Sequence, residues 1–138
     1  MAQTEKRQRR IPKPTWLTKQ FWDAANEGRL VLQYDPEAGK YQFWPRPVSI
    51  HTGKANLEWR EVSGKGKLYA YTVNDVPARG YEDLAPYVLG CVELDEGVRI
   101  MARLVNVTPE DVHPGMRLSV CWERLDDEIN QFLFEPER

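Results

Sequence analysis

The chain has 138 residues, 41% hydrophobic and 29% charged, with 10 prolines, 9 glycines and 2 cysteines. That length suits one compact domain or a small domain with an attached module, and the apolar fraction suffices for a core, which excludes wholesale disorder. The net charge of −2 hides an asymmetry: residues 1–20 carry six Lys/Arg against the single acid Glu5, which leaves the rest of the chain at −7. A body of that sign lacks the cationic face that general nucleic-acid binding requires.

Residues 1–14 read as a flexible basic arm, either a solvated leader or a contact for an acidic partner or a phosphate. No apolar stretch follows its charges, so no secretory leader is expected. No run approaches the ~18–20 apolar residues that cross a bilayer, and a cytoplasmic protein is the expectation. A helix is predicted over residues 15–27, capped by Thr15 and closed by Gly28, with Leu17, Phe21, Trp22, Ala24 and Ala25 on its apolar side. Trp16, Phe21 and Trp22 give this short helix two readings: packing on the body, or cover by a partner protein.

A hairpin follows, with strands at residues 29–34 and 41–44 around a turn at 35–39, and Pro45 and Pro47 extend the exit. From Leu57 onward, short strands at 57–62, 67–76, 87–94, 98–105, 117–123 and 131–134 alternate with Gly, Pro and Asp turns, the pattern of a small barrel or sandwich. Residues 95–97 form a hairpin turn, and residues 108–111 one helical turn with Thr108 as its cap. The 77–86 loop is the longest candidate for a functional loop.

Catalytic signatures are missing. His51 and His113 supply little imidazole for base catalysis or metal binding, and Cys91 and Cys121 read as reduced core thiols. Residues 63–67, Ser-Gly-Lys-Gly-Lys, lack Walker spacing and precede a strand, so they read as a bulged turn. Asp126, Asp127 and Glu128 read as a solvated hairpin tip.

The order of motifs resembles the zinc-ribbon and OB-fold proteins associated with acyl-CoA metabolism. The matching residues are Phe21-Trp22-Asp23-Ala24-Ala25-Asn26-Glu27-Gly28-Arg29-Leu30, Pro45-Arg46-Pro47, Leu57-Glu58-Trp59, the stretch 62–73, Pro86-Tyr87, the stretch 92–99, and Val112-His113-Pro114-Gly115-Met116. The resemblance covers roughly residues 15–135. It implies a mainly β fold: an N-terminal helix and a rubredoxin-like ribbon hairpin over residues 15–55, then a five-stranded OB-fold barrel over 56–138. It also implies a non-catalytic partner of a thiolase-like enzyme, in a hetero-oligomer that meets acyl-CoA indirectly, without membrane contact. A free-standing acyl-CoA-binding protein and a single-stranded nucleic-acid module are the alternatives. The last would stack bases on Tyr69 and Tyr71 beside Lys65, Lys67, Arg79, Arg99 and Arg103.

The family ribbon carries two C-x-x-C pairs, and here the corresponding positions hold Asp35, Ala38, Ser49 and Thr52. Ala38 offers no donor, and Asp35 with His51 would make a two-ligand site at most, so no zinc and no other cofactor is expected. Tyr34, Tyr41, Phe43 and Trp44 are expected to hold the hairpin instead. Interface or CoA-contact candidates are Trp22, Trp44, Arg79 and Tyr81, with packing of Trp22 on Trp44 as the competing reading for that pair. Protein purified without chelator should contain no stoichiometric zinc by elemental analysis, and chelator should leave its melting temperature unchanged; near-stoichiometric zinc would overturn this reading.

Overall fold

A computed structural model describes residues 9–137. Helix α1 spans Lys19–Asn26, followed by β1 (Val31–Asp35), β2 (Lys40–Gln42), β3 (Glu58–Glu61), β4 (Lys65–Asn74), β5 (Tyr87–Leu94), β6 (Arg99–Leu104), a 3-10 turn (Pro109–Asp111), β7 (Arg117–Arg124) and β8 (Asn130–Pro136). The first three strands form an antiparallel sheet in the order β2-β1-β3, and the others close a barrel in the order β4-β5-β6-β8-β7. All barrel pairings are antiparallel except β6 with β8, which meet in parallel at Leu104 and Phe134. This is the mainly β architecture with a five-stranded OB barrel that the sequence predicts. Among the described residues no helix is long and apolar enough to cross a membrane.

Period-two alternation builds the barrel. β5 buries Val88, Val92 and Leu94, and β6 buries Ile100, Ala102 and Leu104, which meet Leu68, Leu118, Phe132 and Phe134 inside. The same core cluster continues into Phe21, Trp22 and Ala25 of α1 and Leu30 and Leu32 of the ribbon, so one apolar mass joins helix, ribbon and barrel. The helix end is tied to the β7–β8 turn: Asn130 Nδ2 donates to the Ala25 carbonyl at 2.8 Å, and Asn26 Nδ2 to the Glu128 carbonyl at 2.8 Å.

Several elements differ from expectation. The helix starts at Lys19 because Thr15 and Thr18 exchange side-chain and backbone hydrogen bonds in a turn, with Thr15 N–H on Thr18 Oγ1 at 2.9 Å. Trp16 is thereby left outside the helix and 82% exposed. β3 pairs with β1, Gln33 opposite Trp59, so this strand belongs to the ribbon sheet rather than to the barrel. Thr108 bonds the Asp111 carboxylate at 2.9 Å instead of capping a backbone N–H. Cys91 and Cys121 are unpaired and half-buried on the barrel wall, outside the core.

Where β4 meets β5 the backbones approach closely. A Cβ at Gly66 would fall on the Glu93 carbonyl oxygen and within 2.9 Å of Leu94 Cα, whereas one at Gly90 would meet side-chain methyls of Leu68 and Leu104. Backbone of a closed barrel cannot retreat as a leucine rotamer can. Gly66→Ala should therefore cost about 2–3 kcal/mol in urea unfolding and Gly90→Ala about 1 kcal/mol; equal costs would show that the barrel relaxes at this seam.

Candidate functional site

Two turns face each other at the ribbon tip. Gly39 N–H closes on the Asp35 carbonyl at 2.7 Å and Gly53 N–H on the Ser49 carbonyl at 2.9 Å. Both glycines are in the left-handed region, with φ of 66° and 73°. These turns gather Asp35, Ala38, Ser49 and Thr52, the four positions that the resemblance matches to cysteines, and what fills the space between them is the Asp35 carboxylate, 0% exposed.

That carboxylate accepts five hydrogen bonds. Oδ1 takes the N–H groups of Glu37 (2.9 Å) and Ala38 (3.1 Å) and Nδ2 of Asn56 (2.9 Å). Oδ2 takes the hydroxyls of Ser49 (2.5 Å) and Thr52 (2.9 Å). Ala38, whose methyl group can ligate nothing, thus contributes through its backbone. Ser49 Oγ in turn accepts the His51 and Thr52 N–H groups at 3.0 and 3.3 Å. The Ser49 hydroxyl, aided by the Ala38 N–H, Thr52 and Asn56, holds the Asp35 carboxyl well below the ordinary carboxylate range against the opposing effect of burial. One carboxylate, two hydroxyls and a methyl do not fit tetrahedral zinc. His51 is exposed with its ring on the Tyr41 carbonyl at 3.3 Å, so it does not join Asp35 in a two-ligand site. Among the described residues no three His, Cys, Asp or Glu side chains stand together as a metal site.

Buried amides carry this order down the hairpin. Gln33 and Gln42, cross-strand partners, share a 3.1 Å bond. Gln33 holds both the N–H and the carbonyl of Arg46 at 2.8 Å, and Gln42 accepts the Ile50 N–H at 2.9 Å. Tyr34 meets Tyr41 in a tilted contact at 4.8 Å and lies beneath the Arg60 guanidinium. Trp44 then lies 5.2 Å from the Phe21 ring and 6.2 Å from Trp22, in edge-on contacts. Trp22 is 2% exposed and belongs to the core of this chain, because Phe21, Phe43 and Trp44 close over the helix. Its expected role as an interface residue therefore gives way to packing, while Trp44 remains 40% exposed.

The loop at 77–86 is a built structure. Tyr81 N–H donates to the Ala78 carbonyl and Leu84 N–H to the Tyr81 carbonyl, both at 2.9 Å, and Tyr87 Oη accepts the Ala78 N–H at 3.1 Å. Arg9, which sequence reasoning placed in a flexible arm, grips this loop: it donates to the Gly80 carbonyl, forms a two-pronged pair with Asp83 at 2.9 and 3.0 Å, and lies 5.1 Å from the Tyr81 ring centre. Its own sequence context gave no sign of a partner 74 residues away. Tyr81 is half-buried; Arg79 is exposed, with no ion pair to a described residue. The structure brings Arg79 and Tyr81 together on one loop and leaves Trp44 on the ribbon.

Four of the five cations envisaged for nucleic acid stand in ion pairs, and Arg79 is the exception among the described residues. Lys65 pairs with Glu137, Lys67 and Arg99 with Glu93, and Arg103 with Glu123, while Arg99 stacks on Tyr69 at 3.7 Å. Cys121 is no better as a nucleophile: burial, aided by Glu135 and opposed by Arg103, pushes its thiol up to about 11.

Residues 59–123 match the model of the C-terminal OB-fold domain of ChsH2. A DUF35 domain-containing scaffold protein of Pyrococcus furiosus is 31% identical over 113 residues, 82% of each chain. A probable enoyl-CoA hydratase alpha subunit of Thermomonospora curvata is 32% identical over 117 residues, but this chain spans only 36% of that protein's length. Among solved structures, a chain of the Ltp2-ChsH2(DUF35) aldolase superposes with a TM-score of 0.81 at 29% identity, covering 91% of this chain and 98% of the other.

The depressed Asp35 pKa fixes the sign of an acid effect. The carboxylate contributes stability above the ordinary carboxyl pKa of about 4, and that contribution is lost as pH falls from there toward the folded value. Urea midpoints of the wild type should fall steeply below about pH 4. Asp35→Asn, which exchanges an acceptor oxygen for an amide, should be less stable at neutral pH and flatter in acid; parallel pH profiles for the two proteins would contradict the role given to Asp35.

Proposed function

The chain belongs to the family of DUF35-domain scaffold proteins, and from that premise we propose that it is a cytoplasmic, non-catalytic subunit that binds and supports an enzyme acting on acyl-CoA thioesters. The partner we favour is of the thiolase superfamily, performing condensation, acyl transfer or retro-aldol cleavage. The observation that carries this reading is the likeness over 91% of the chain to a chain of the Ltp2-ChsH2(DUF35) aldolase, a two-component name. The ion pairs of Lys65, Lys67, Arg99 and Arg103 and the charge of −7 beyond residue 20 speak against the nucleic-acid alternative.

The chemistry agrees. Among the described residues the mutual geometry of nucleophile, base and oxyanion donors is absent from the site, and the one shifted thiol is held protonated. Exposed large apolar side chains lie both on the helix approach and ribbon (Trp16, Trp44, Val48 and Ile50) and on the barrel (Tyr69, Tyr71, Val76 and Met101), where a partner can reach them. Arg79 and Tyr81 are the residues proposed to contact the partner or the CoA, Arg79 through a phosphate or carboxylate and Tyr81 as an aromatic anchor.

Co-expression with a thiolase-like partner should give one shared peak in size-exclusion chromatography, and the chain alone should turn over no acyl-CoA. Arg79→Ala and Tyr81→Ala should each weaken the pull-down about tenfold or more while the proteins remain folded. Wild-type binding by both variants would make the loop a mere connector, and turnover by the isolated chain would refute the non-catalytic reading.

A further inference from the structure

The hydrogen bonds that the 77–86 loop makes with itself are local. Tyr81 N–H reaches the Ala78 carbonyl, Leu84 N–H the Tyr81 carbonyl, Gly80 N–H Glu82 Oε2 at 2.9 Å, and Ala78 N–H Tyr87 Oη at the start of β5. Gly80 is buried although residues 79, 82 and 83 beside it are exposed, and the donor to its carbonyl comes from far outside the loop, Nη1 of Arg9. A buried backbone carbonyl without a donor is costly, so this shape of the loop and the presence of that donor are coupled.

The same guanidinium forks onto the Asp83 carboxylate at 2.9 and 3.0 Å and lies 5.1 Å from the Tyr81 ring centre, so one side chain ties residues 80, 81 and 83 at once. Tyr81 is held on another side by Tyr87, 5.9 Å away between ring centres. The Arg9 side chain is 19% exposed, and a fork partly withdrawn from water is stronger than an ion pair on an open surface. Two residues on, Ile11 packs against the core cluster, so the tie starts from anchored backbone. Charge adds to the geometry. The loop carries Arg79 against Glu82 and Asp83. Arg9 engages an acid that lies four residues from Arg79 in sequence and would otherwise compete for it, and Arg79 stays exposed with no ion pair to a described residue.

We propose that Arg9 is a clasp, a positioning residue that pre-orders the 77–86 loop so that Arg79 and Tyr81 meet the partner or the CoA without an ordering cost at binding. The positioning role rests on the reading of Arg79 and Tyr81 given under Proposed function; the clasp itself rests on the contacts of Arg9 alone.

Amide hydrogen exchange on the whole chain, without a partner, reads the clasp. Arg9→Met keeps much of the side-chain length and removes the donors, and it should speed exchange at the Tyr81 and Leu84 amides about tenfold, with the Gly97 amide of the β5–β6 turn as an unmoved control. Asp83→Asn should act in the same direction, and the double variant should exchange no faster than Arg9→Met, because both changes break one contact. Unchanged exchange at Tyr81 and Leu84, or equal acceleration at Gly97, would overturn the clasp. The pull-down then reads positioning. Arg9→Met should weaken it about fivefold in the wild-type loop and by less than about twofold in a chain already carrying Arg79→Ala and Tyr81→Ala. Equal losses in the two backgrounds would make Arg9 a stabilising residue with no positioning role. Wild-type binding by the Arg79→Ala and Tyr81→Ala variants would sink the contact role of the loop, and the exchange rates would still decide the clasp, so the two failures are told apart.

Discussion

A single buried carboxylate organises the ribbon. Asp35 has no exposure and no ion pair among the described residues, so its charge is tolerable because five N–H and O–H groups converge on it. Those donors come from residues 37, 38, 49, 52 and 56, and satisfying them fixes two turns distant in sequence against each other. Gln33 and Gln42 extend the order by binding backbone at Arg46 and Ile50, as a neighbouring strand would. The position of Trp44 follows, and with it the lid over Phe21 that joins ribbon to helix.

The barrel is attached through that same apolar contact and through polar ties. Phe132 of β8 meets Phe21 and Phe43 edge-on at 5.9 and 6.1 Å, so ribbon, helix and barrel share one aromatic junction. Arg124 and Asn130 reach back to Asn26 and the Ala25 carbonyl, satisfying the helix end from the β7–β8 turn. Across the barrel surface, cations and acids alternate in pairs, and Arg117 bridges Asp95 and Glu137 near the end of β8. With the chain beyond residue 20 at −7 the surface repels polyanions at long range, and short-range recognition falls to exposed aromatic and aliphatic groups at specific places.

Much of this was legible in the sequence, because alternation and turn residues are local signals. The span of β5 was read residue for residue, and the other barrel strands within a few residues. The spacing that gathers Asp35, Ala38, Ser49 and Thr52 was visible too. What holds these four positions together was harder to see: Asp-Pro-Glu at a turn signals a side chain folding back on its own backbone, but nothing local shows that Asn56 or Thr52 will close on the same oxygens. Strand propensity gave β3 its conformation but not its partner. Trp16 left the helix through a Thr–Thr exchange that competes with helical bonding. Arg9 on Asp83 and Arg103 beside Glu123 are long-range contacts between residue types that elsewhere lie in solvent, and no pattern within a window encodes them.

The hydrogen-bonded tip has a consequence for how such a chain tolerates genetic change. An ion held by four ligands is lost as a unit, since three remaining ligands seldom retain what four bind, and every intermediate on the way to replacing them is impaired. A carboxylate with five independent donors degrades in steps. Removing Thr52 or Asn56 leaves the remaining bonds in place, and a backbone N–H such as that of Ala38 cannot be removed by any side-chain substitution except proline. The tip can thus change one donor at a time while most of its bonds persist, a more gradual response to substitution than a site that depends on four ligands at once allows.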